Sequence, residues 1–210
     1  MTPAAILFDF DGTLIDSARS ILSGFALALE REGITPAVPL ASELIGPPLP
    51  KTLAKLAGTD DPAVIGKLSA AYREAYDGGG YRETDVYPGV PALLESLAAG
   101  GIALHIVTNK RIAPTRLILD HLGWTTWFRG IYALDAIEPP APHKVALVRE
   151  VLTRESLAAA TTWMVGDSSE DRQAAEGSGL RFFSATWGYG TAGRDGLSRP
   201  EELLRHARVD

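Results

Sequence analysis

The sequence has no cysteine, which excludes disulfides, thiolate metal ligands and a cysteine nucleophile together. It has no surplus of positive charge either: 20 Lys and Arg stand against 26 Asp and Glu, a formal net charge of −6. A broad nucleic-acid surface needs a basic stripe, so no nucleic-acid partner is expected, although a local cationic pocket for a small anion is compatible with this balance. No apolar run approaches the roughly 20 residues of a membrane span, and no membrane partner is expected. The start, Met1-Thr2-Pro3-Ala4-Ala5, lacks a basic n-region, and the apolar run after it is interrupted by Asp9. That is not the pattern of a signal peptide, and a cytoplasmic location is the default expectation. Internal repeats and low-complexity tracts are missing as well. What is present is 210 residues of ordinary globular composition, 46% hydrophobic and 22% charged, enough for one core plus a small inserted domain.

The chain is organised around Ile6-Leu7-Phe8-Asp9-Phe10-Asp11-Gly12-Thr13-Leu14-Ile15-Asp16-Ser17. Residues 5–10 read as a fully buried strand that opens into two carboxylates and a turn. From Ser17 the period becomes helical: Ile21, Phe25 and Leu29 recur every four residues, and Gly33 suits the position just past a helix end. Residues 37–80 read as helical in short pieces, broken by Pro39, Gly46-Pro47-Pro48, Pro50 and Gly58, with one helix over 63–76. After the turn signal Tyr87-Pro88-Gly89 the rhythm changes. Helices are expected at 90–99, 114–122, 143–153, 170–178 and 200–207, and strands at 102–107, 130–134, 162–165 and 181–185. Alternation with short connections predicts an α/β fold, a Rossmann-like parallel sheet with right-handed crossovers. The helical block interrupts that alternation just after the first strand. The expected division is therefore an α/β core of residues 1–16 and 85–210, with an inserted all-helical domain at 17–84.

Open α/β sheets bind ligands at the carboxyl ends of their strands, and four clusters fall there. The first is Asp9-x-Asp11-Gly12-Thr13. Two neighbouring carboxylates repel each other, so a cation is the natural reason to keep both; a plain Asp-Gly turn is the bland alternative. The second, Thr108-Asn109-Lys110, puts a hydroxyl at a helix-start loop that can hold an anion or merely cap the helix. The third is Lys144, a cation opening a helix against its dipole, which calls for compensation; a solvated surface lysine is the plainer account. The fourth is Val165-Gly166-Asp167-Ser168-Ser169-Glu170-Asp171. Its serines can cap, and Glu170 and Asp171 suit a first helical turn. Asp167 instead stands at a strand end, as Asp9 does. The four chemistries complement one another at one sheet edge.

At these residues the chain resembles the haloacid dehalogenase superfamily, in particular its phosphoglycolate phosphatase-like branch with a helical cap. Phe8-Asp9-Phe10-Asp11-Gly12-Thr13-Leu14 matches the first family motif, Thr108-Asn109 the second and Gly166-Asp167-x-x-x-Asp171 the fourth, and the resemblance covers almost the whole chain. Leu44-Ile45-Gly46-Pro47-Pro48-Leu49 is similar to the branch's substrate-facing loop, and Tyr87-Pro88-Gly89-Val90 to its return into the core. The third motif departs: Pro139-Pro140-Ala141-Pro142 has proline where many relatives carry lysine. Lys144 follows slightly later and is assigned that role, with Lys110 as the alternative.

The resemblance implies a Mg²⁺-dependent phosphatase that cleaves a small phosphorylated metabolite, phosphoglycolate-like, through an aspartyl-phosphate. It implies Asp9 as nucleophile and Asp11 as acid/base, with Thr108 and Lys144 completing the catalytic set. Asp9, Asp11 through its carbonyl, and Asp167 would hold the metal, while Asp171 orients Lys144 or a metal-bound water. Gly12, Thr108, Asn109 and Lys144 would surround the phosphate. Selectivity would come from Gly46, Pro47 and Lys51 in the cap and from Asp16 and Arg19 near its entrance. A metal-free dehalogenase fits less well, because Asp11 speaks for phosphoryl chemistry. A hexose-phosphate mutase or a pyrophosphatase of the same superfamily shares these motifs. The non-enzymatic alternative is a phospho-aspartate or phosphate-binding module, and a receiver-type module would not need so large a helical block. Substrate identity and oligomeric state are left open.

Overall fold

β1 (Ala5–Phe8) carries four consecutive buried residues and occupies the middle of the sheet. In the computed structural model, which describes residues 2–190 and 196–208, its side chains alternate between two apolar layers. Ile6 and Phe8 join one buried cluster, Leu7 the other. The chain continues through β2 (Ile15–Asp16), α1 (Ala18–Arg31), α2 (Leu49–Ala57), α3 (Pro62–Asp77) and β3 (Asp85–Val86). It then alternates: α4 (Val90–Ala99), β4 (Ala103–Thr108), α5 (Ile112–Leu122), β5 (Gly130–Ala133), α6 (Lys144–Arg154), β6 (Thr162–Gly166), α7 (Ser169–Gly177), β7 (Arg181–Ser184) and α8 (Glu202–Ala207).

The main sheet has the order β5-β4-β1-β6-β7, and every pairing is parallel. Phe8 is in register with Ile106 and with Val165, so the chain leaves β1, β4 and β6 at the same edge. Burial on both faces explains why these strands read as unbroken apolar runs. On the Leu7 side, α6 and α7 supply Leu147, Val148, Val151, Ala174 and Ala175 against Val107 and Met164. On the other side Leu94, Leu97, Ile118, Leu119 and Leu203 cover the sheet, and the same apolar cluster runs on into the helical block through Phe25, Leu53, Leu56 and Tyr72. Burying one such side chain contributes about 1.5–3 kcal/mol. α1 and α3 cross closely at Gly24, where an added Cβ would lie 2.9 Å from the Tyr72 ring.

Three local features differ from the sequence reading. β1 ends at Phe8 rather than at residue 10, because the Phe10 carbonyl accepts the N–H groups of Thr13, Leu14 and Ile15 at 3.3, 3.0 and 3.2 Å. That knot of bonds turns the chain out of the sheet and places Asp9 and Asp11 on a loop. Residues 37–41 form no helix; Ser42–Leu44 is a single 3-10 turn, and α2 starts after Pro47-Pro48 with Pro50 in its first turn. β2 and β3 were not foreseen at all. They pair antiparallel, Ile15 with Val86 and Asp16 with Asp85, so the chain enters and leaves the helical block through one ribbon. Strands of two residues leave no periodicity to read. α5 begins two residues before Pro114, which its first turn tolerates because the N–H groups there have no intrahelical partner. No helix among the described residues is long and apolar enough to cross a membrane.

His105 lies fully buried in β4, and neither ring nitrogen has a hydrogen-bond partner. Burial pushes its pKa below the ordinary histidine value, with Glu155 opposing and Arg129 adding to the shift. The unfolded chain takes up a proton near pH 6.5 that the fold resists, so this contribution is complete above about 6.5 and is lost as the pH falls below it. The stability of the parent relative to His105→Leu, measured by urea unfolding, should therefore fall between about pH 7.5 and about pH 5.5. A difference independent of pH would contradict this account.

Candidate active site

Asp9 stays beside β6 because its N–H donates to the Val165 carbonyl at 2.9 Å. Asp167 follows β6 directly, and Asp171 sits in the first turn of α7. One oxygen from each of these three buried carboxylates lies within 4.8 Å of the others. Lys144, the first residue of α6, is 4% exposed. Its ammonium is 2.6 Å from Asp9 Oδ1 and also touches Asp171 Oδ1. These two partners supply the compensation that a lysine at a helix N-terminus needs. Burial works against the ammonium, but Asp171 and Asp9 outweigh it and hold the Lys144 pKa above the ordinary lysine value.

Even so, the cluster is short of positive charge. Burial, then repulsion from Asp171, raises the Asp9 carboxyl well above its ordinary value, with Lys144 opposing. Asp167 is pushed up to about 6 by burial and by Asp171, against the N–H of Gly190. Buried oxygen donors with unmet negative charge suit a hard divalent cation such as Mg²⁺. Asp171 is the least available of the three. Its Oδ2 accepts from the Ser168 N–H at 3.0 Å and the Ser168 hydroxyl at 2.6 Å, while Ser168 caps α7 in return. Asp167 is fixed from the other side, its Oδ2 accepting the N–H groups of Tyr189 and Gly190 at 2.9 Å each. Gly12, at φ +84°, passes so close that a Cβ there would lie 2.3 Å from Asp167 Oδ2. No other residue type fits that approach.

The Asp11 side chain does not join this cluster. Its Oδ1 accepts the Ser17 hydroxyl at 2.5 Å, and Lys110 Nζ reaches Oδ1 at 3.0 Å and Oδ2 at 3.2 Å. Lys110 therefore stands at Asp11, whereas Lys144 stands at Asp9. Lys110 also donates to the Tyr76 hydroxyl at 2.9 Å, and Arg111 pairs with Asp77 at 2.6 Å. Two consecutive residues at the end of α3 thus grip two consecutive residues after β4. Thr108 is buried, and its hydroxyl oxygen accepts the Lys110 N–H at 3.1 Å, which leaves the hydroxyl hydrogen for another acceptor.

Other residues singled out in the sequence take different places. Asn109, expected at the phosphate, uses Nδ2 to reach the Gly46 carbonyl at 3.0 Å and Glu170 Oε2 at 2.6 Å. It ties the Gly46 loop to α7. Gly46 and Pro47 line a cavity that also touches Asp11, and Lys51 lines a separate groove together with Lys144. Arg19 is exposed on α1. Asp16 accepts the Ala18 N–H at 3.1 Å and the Tyr189 hydroxyl at 2.7 Å, so its carboxylate organises the start of α1. Sequence reasoning missed Tyr76 and Tyr189, and it read Glu170 as a helix cap alone. The Tyr189 hydroxyl accepts the N–H groups of Ser17 and Ala18 at 2.6 and 3.1 Å. The available signal was Gly188-Tyr189-Gly190, an aromatic between two glycines after the last strand, where backbone approaches closely.

A family model described as haloacid dehalogenase-like hydrolase matches residues 6–185. The chain is 33% identical over 187 residues to a 5'-nucleotidase of Pseudomonas aeruginosa, covering 89% of this chain and 84% of that protein. It is 32% identical over 210 residues to a phosphoglycolate phosphatase of Xanthomonas campestris pv. campestris, covering 96% and 91%. Among solved structures it is similar to a haloacid dehalogenase-like family hydrolase from Streptococcus pneumoniae, with a TM-score of 0.84 and 28% identity over 97% of this chain and 98% of that one.

Lys144→Met would leave Asp9 and Asp171 buried without their counter-charge. It should cost about 3–5 kcal/mol in urea unfolding without divalent cations. A loss below about 1 kcal/mol would show that the cluster does not depend on this lysine.

Proposed function

This chain belongs to the haloacid dehalogenase-like hydrolase family, and on that premise we propose that it is a Mg²⁺-dependent phosphomonoesterase acting on a small phosphorylated metabolite through an aspartyl-phosphate. The observation that carries the reading is the buried juxtaposition of Asp9, Asp167 and Lys144 at one sheet edge, with Asp11 held apart from them by its own lysine. The relatives named for phosphoglycolate and nucleotide hydrolysis support the same reaction class.

Asp9, Asp167 and the Asp11 carbonyl would hold Mg²⁺, whose charge when bound lets an anionic phosphate approach an anionic nucleophile. In the first step an Asp9 oxygen attacks phosphorus. The new O–P bond forms as the ester P–O bond breaks, and Asp11 gives the leaving oxygen its proton. In the second step Asp11 takes a proton from a water whose oxygen attacks the same phosphorus, releasing inorganic phosphate and restoring Asp9. Lys144 and the Thr108 hydroxyl neutralise and orient the remaining phosphate oxygens. Asp171 holds Lys144 in place, and Lys110 and Ser17 hold the Asp11 carboxylate. Residues 17–84 act as a lid on a core of residues 1–16 and 85–210, moving on the β2–β3 ribbon and closing through the Lys110–Tyr76 and Arg111–Asp77 contacts.

Phosphate release from a panel of phosphomonoesters, with and without Mg²⁺, tests the reading. Asp9→Asn should lower turnover by at least about 10³-fold; activity near the parent level would sink the mechanism. Mg²⁺ should also raise the thermal midpoint of the parent, since a ligand that binds only the fold stabilises it by mass action. Asp167→Asn should lose that shift, and an undiminished shift would remove Asp167 from the metal site.

A further inference from the structure

We infer that the leaving group seated beside Asp11 is a small, uncharged, largely apolar alcohol. This rests on the phosphomonoesterase reading and narrows its substrate class. A cavity of about 50 Å³ opens against Asp11, between the helical block and the loop after β4. Ile21, Phe25, Leu44, Leu49, Tyr72 and Tyr76 line its apolar side. Three of these are an aromatic file: the Phe25 and Tyr72 ring centres are 5.0 Å apart, and Tyr72 and Tyr76 stack at 5.3 Å.

The cations on the wall are already paired, while Asn109 Oδ1 there has no hydrogen-bond partner. Lys110 is held between Asp11 and the Tyr76 hydroxyl, with only 6% of its side chain exposed. Arg111 is paired with Asp77 at 2.6 Å, and the Asn109 amide donates to Gly46 and Glu170. Arg19 and Lys51, the cations that the sequence offered for selectivity, are not on this wall. A leaving group bearing a carboxylate or a second phosphate would enter an apolar chamber whose two cations are neutralised from within. Binding it would mean breaking a buried ion pair. The volume points the same way, since each water needs about 10–15 Å³ of such space and the chamber therefore has room for only a few.

The test compares two esters of matched shape: phosphoglycolate and isobutyl phosphate, in which two methyl groups stand for the two carboxylate oxygens. With the full chain and Mg²⁺, kcat/KM for isobutyl phosphate should exceed that for phosphoglycolate by at least about 10-fold. Asp77→Asn, which frees Arg111, should reduce that preference, read as the ratio of the two kcat/KM values, by about 10-fold or more. Equal or better use of phosphoglycolate by the parent would overturn the inference and leave the phosphatase reading intact. A preference unchanged in Asp77→Asn would overturn the assignment of the Arg111–Asp77 pair as its cause. Failure to hydrolyse either ester, or p-nitrophenyl phosphate alongside them, would overturn the phosphatase reading and this inference with it.

Discussion

A single buried ammonium, that of Lys144, stands between Asp9 and Asp171 at the edge of the sheet. Three carboxylates converge there, and charges taken out of water are tolerated only when paired. One lysine cannot neutralise three acids, and burial, then repulsion from Asp171, raises the pKa values of Asp9 and Asp167. Unmet negative charge on buried oxygen donors suits a hard divalent cation. The architecture around the cluster serves this arrangement: three parallel strands end together, and glycine lets the backbone close on Asp167 from the Gly12 side.

Separation of the Asp9 and Asp11 carboxylates is the second organising feature. Asp9 and Asp11 are two residues apart, yet each has its own lysine, Lys144 for one and Lys110 for the other. The turn built on the Phe10 carbonyl makes this possible by swinging the chain out of the sheet between them. Lys110 and its neighbour Arg111 also reach the end of α3, so the groups that set the environment of Asp11 are those that hold the helical block down. Tyr189 makes a comparable connection on the opposite side. Its backbone binds Asp167 while its hydroxyl organises the first turn of α1. The side chains that surround Asp11 and Asp167 therefore also tie the helical block to the sheet edge.

The fold and the reactive groups were legible in the chain because each rests on local information. Strands buried on both faces give unbroken apolar runs such as Ile6-Leu7-Phe8, and helices with one buried face give residues such as Ile21, Phe25 and Leu29 on one stripe. Asp9 and Asp167 were conspicuous because charge directly after an apolar strand is costly without a purpose. The tension of Lys144 against its helix dipole was equally visible, although its partners were not.

Tertiary structure decided the rest, because it depends on which residues meet across long stretches of chain. Lys110 lies 99 positions from Asp11, and Tyr189 lies 172 from Ser17; no pattern in a window of sequence encodes such a pairing. The β2–β3 ribbon was unreadable because two residues carry no period, and the amide partners of Asn109, Gly46 and Glu170, were unreadable because they come from two other segments. By itself the sequence determined an α/β sheet with acids and a lysine at its strand ends, since burial and periodicity are local. Only the folded chain decided which lysine serves which carboxylate, and that the chamber beside Asp11 is apolar with its cations already paired, since charge pairing is settled by distance in space.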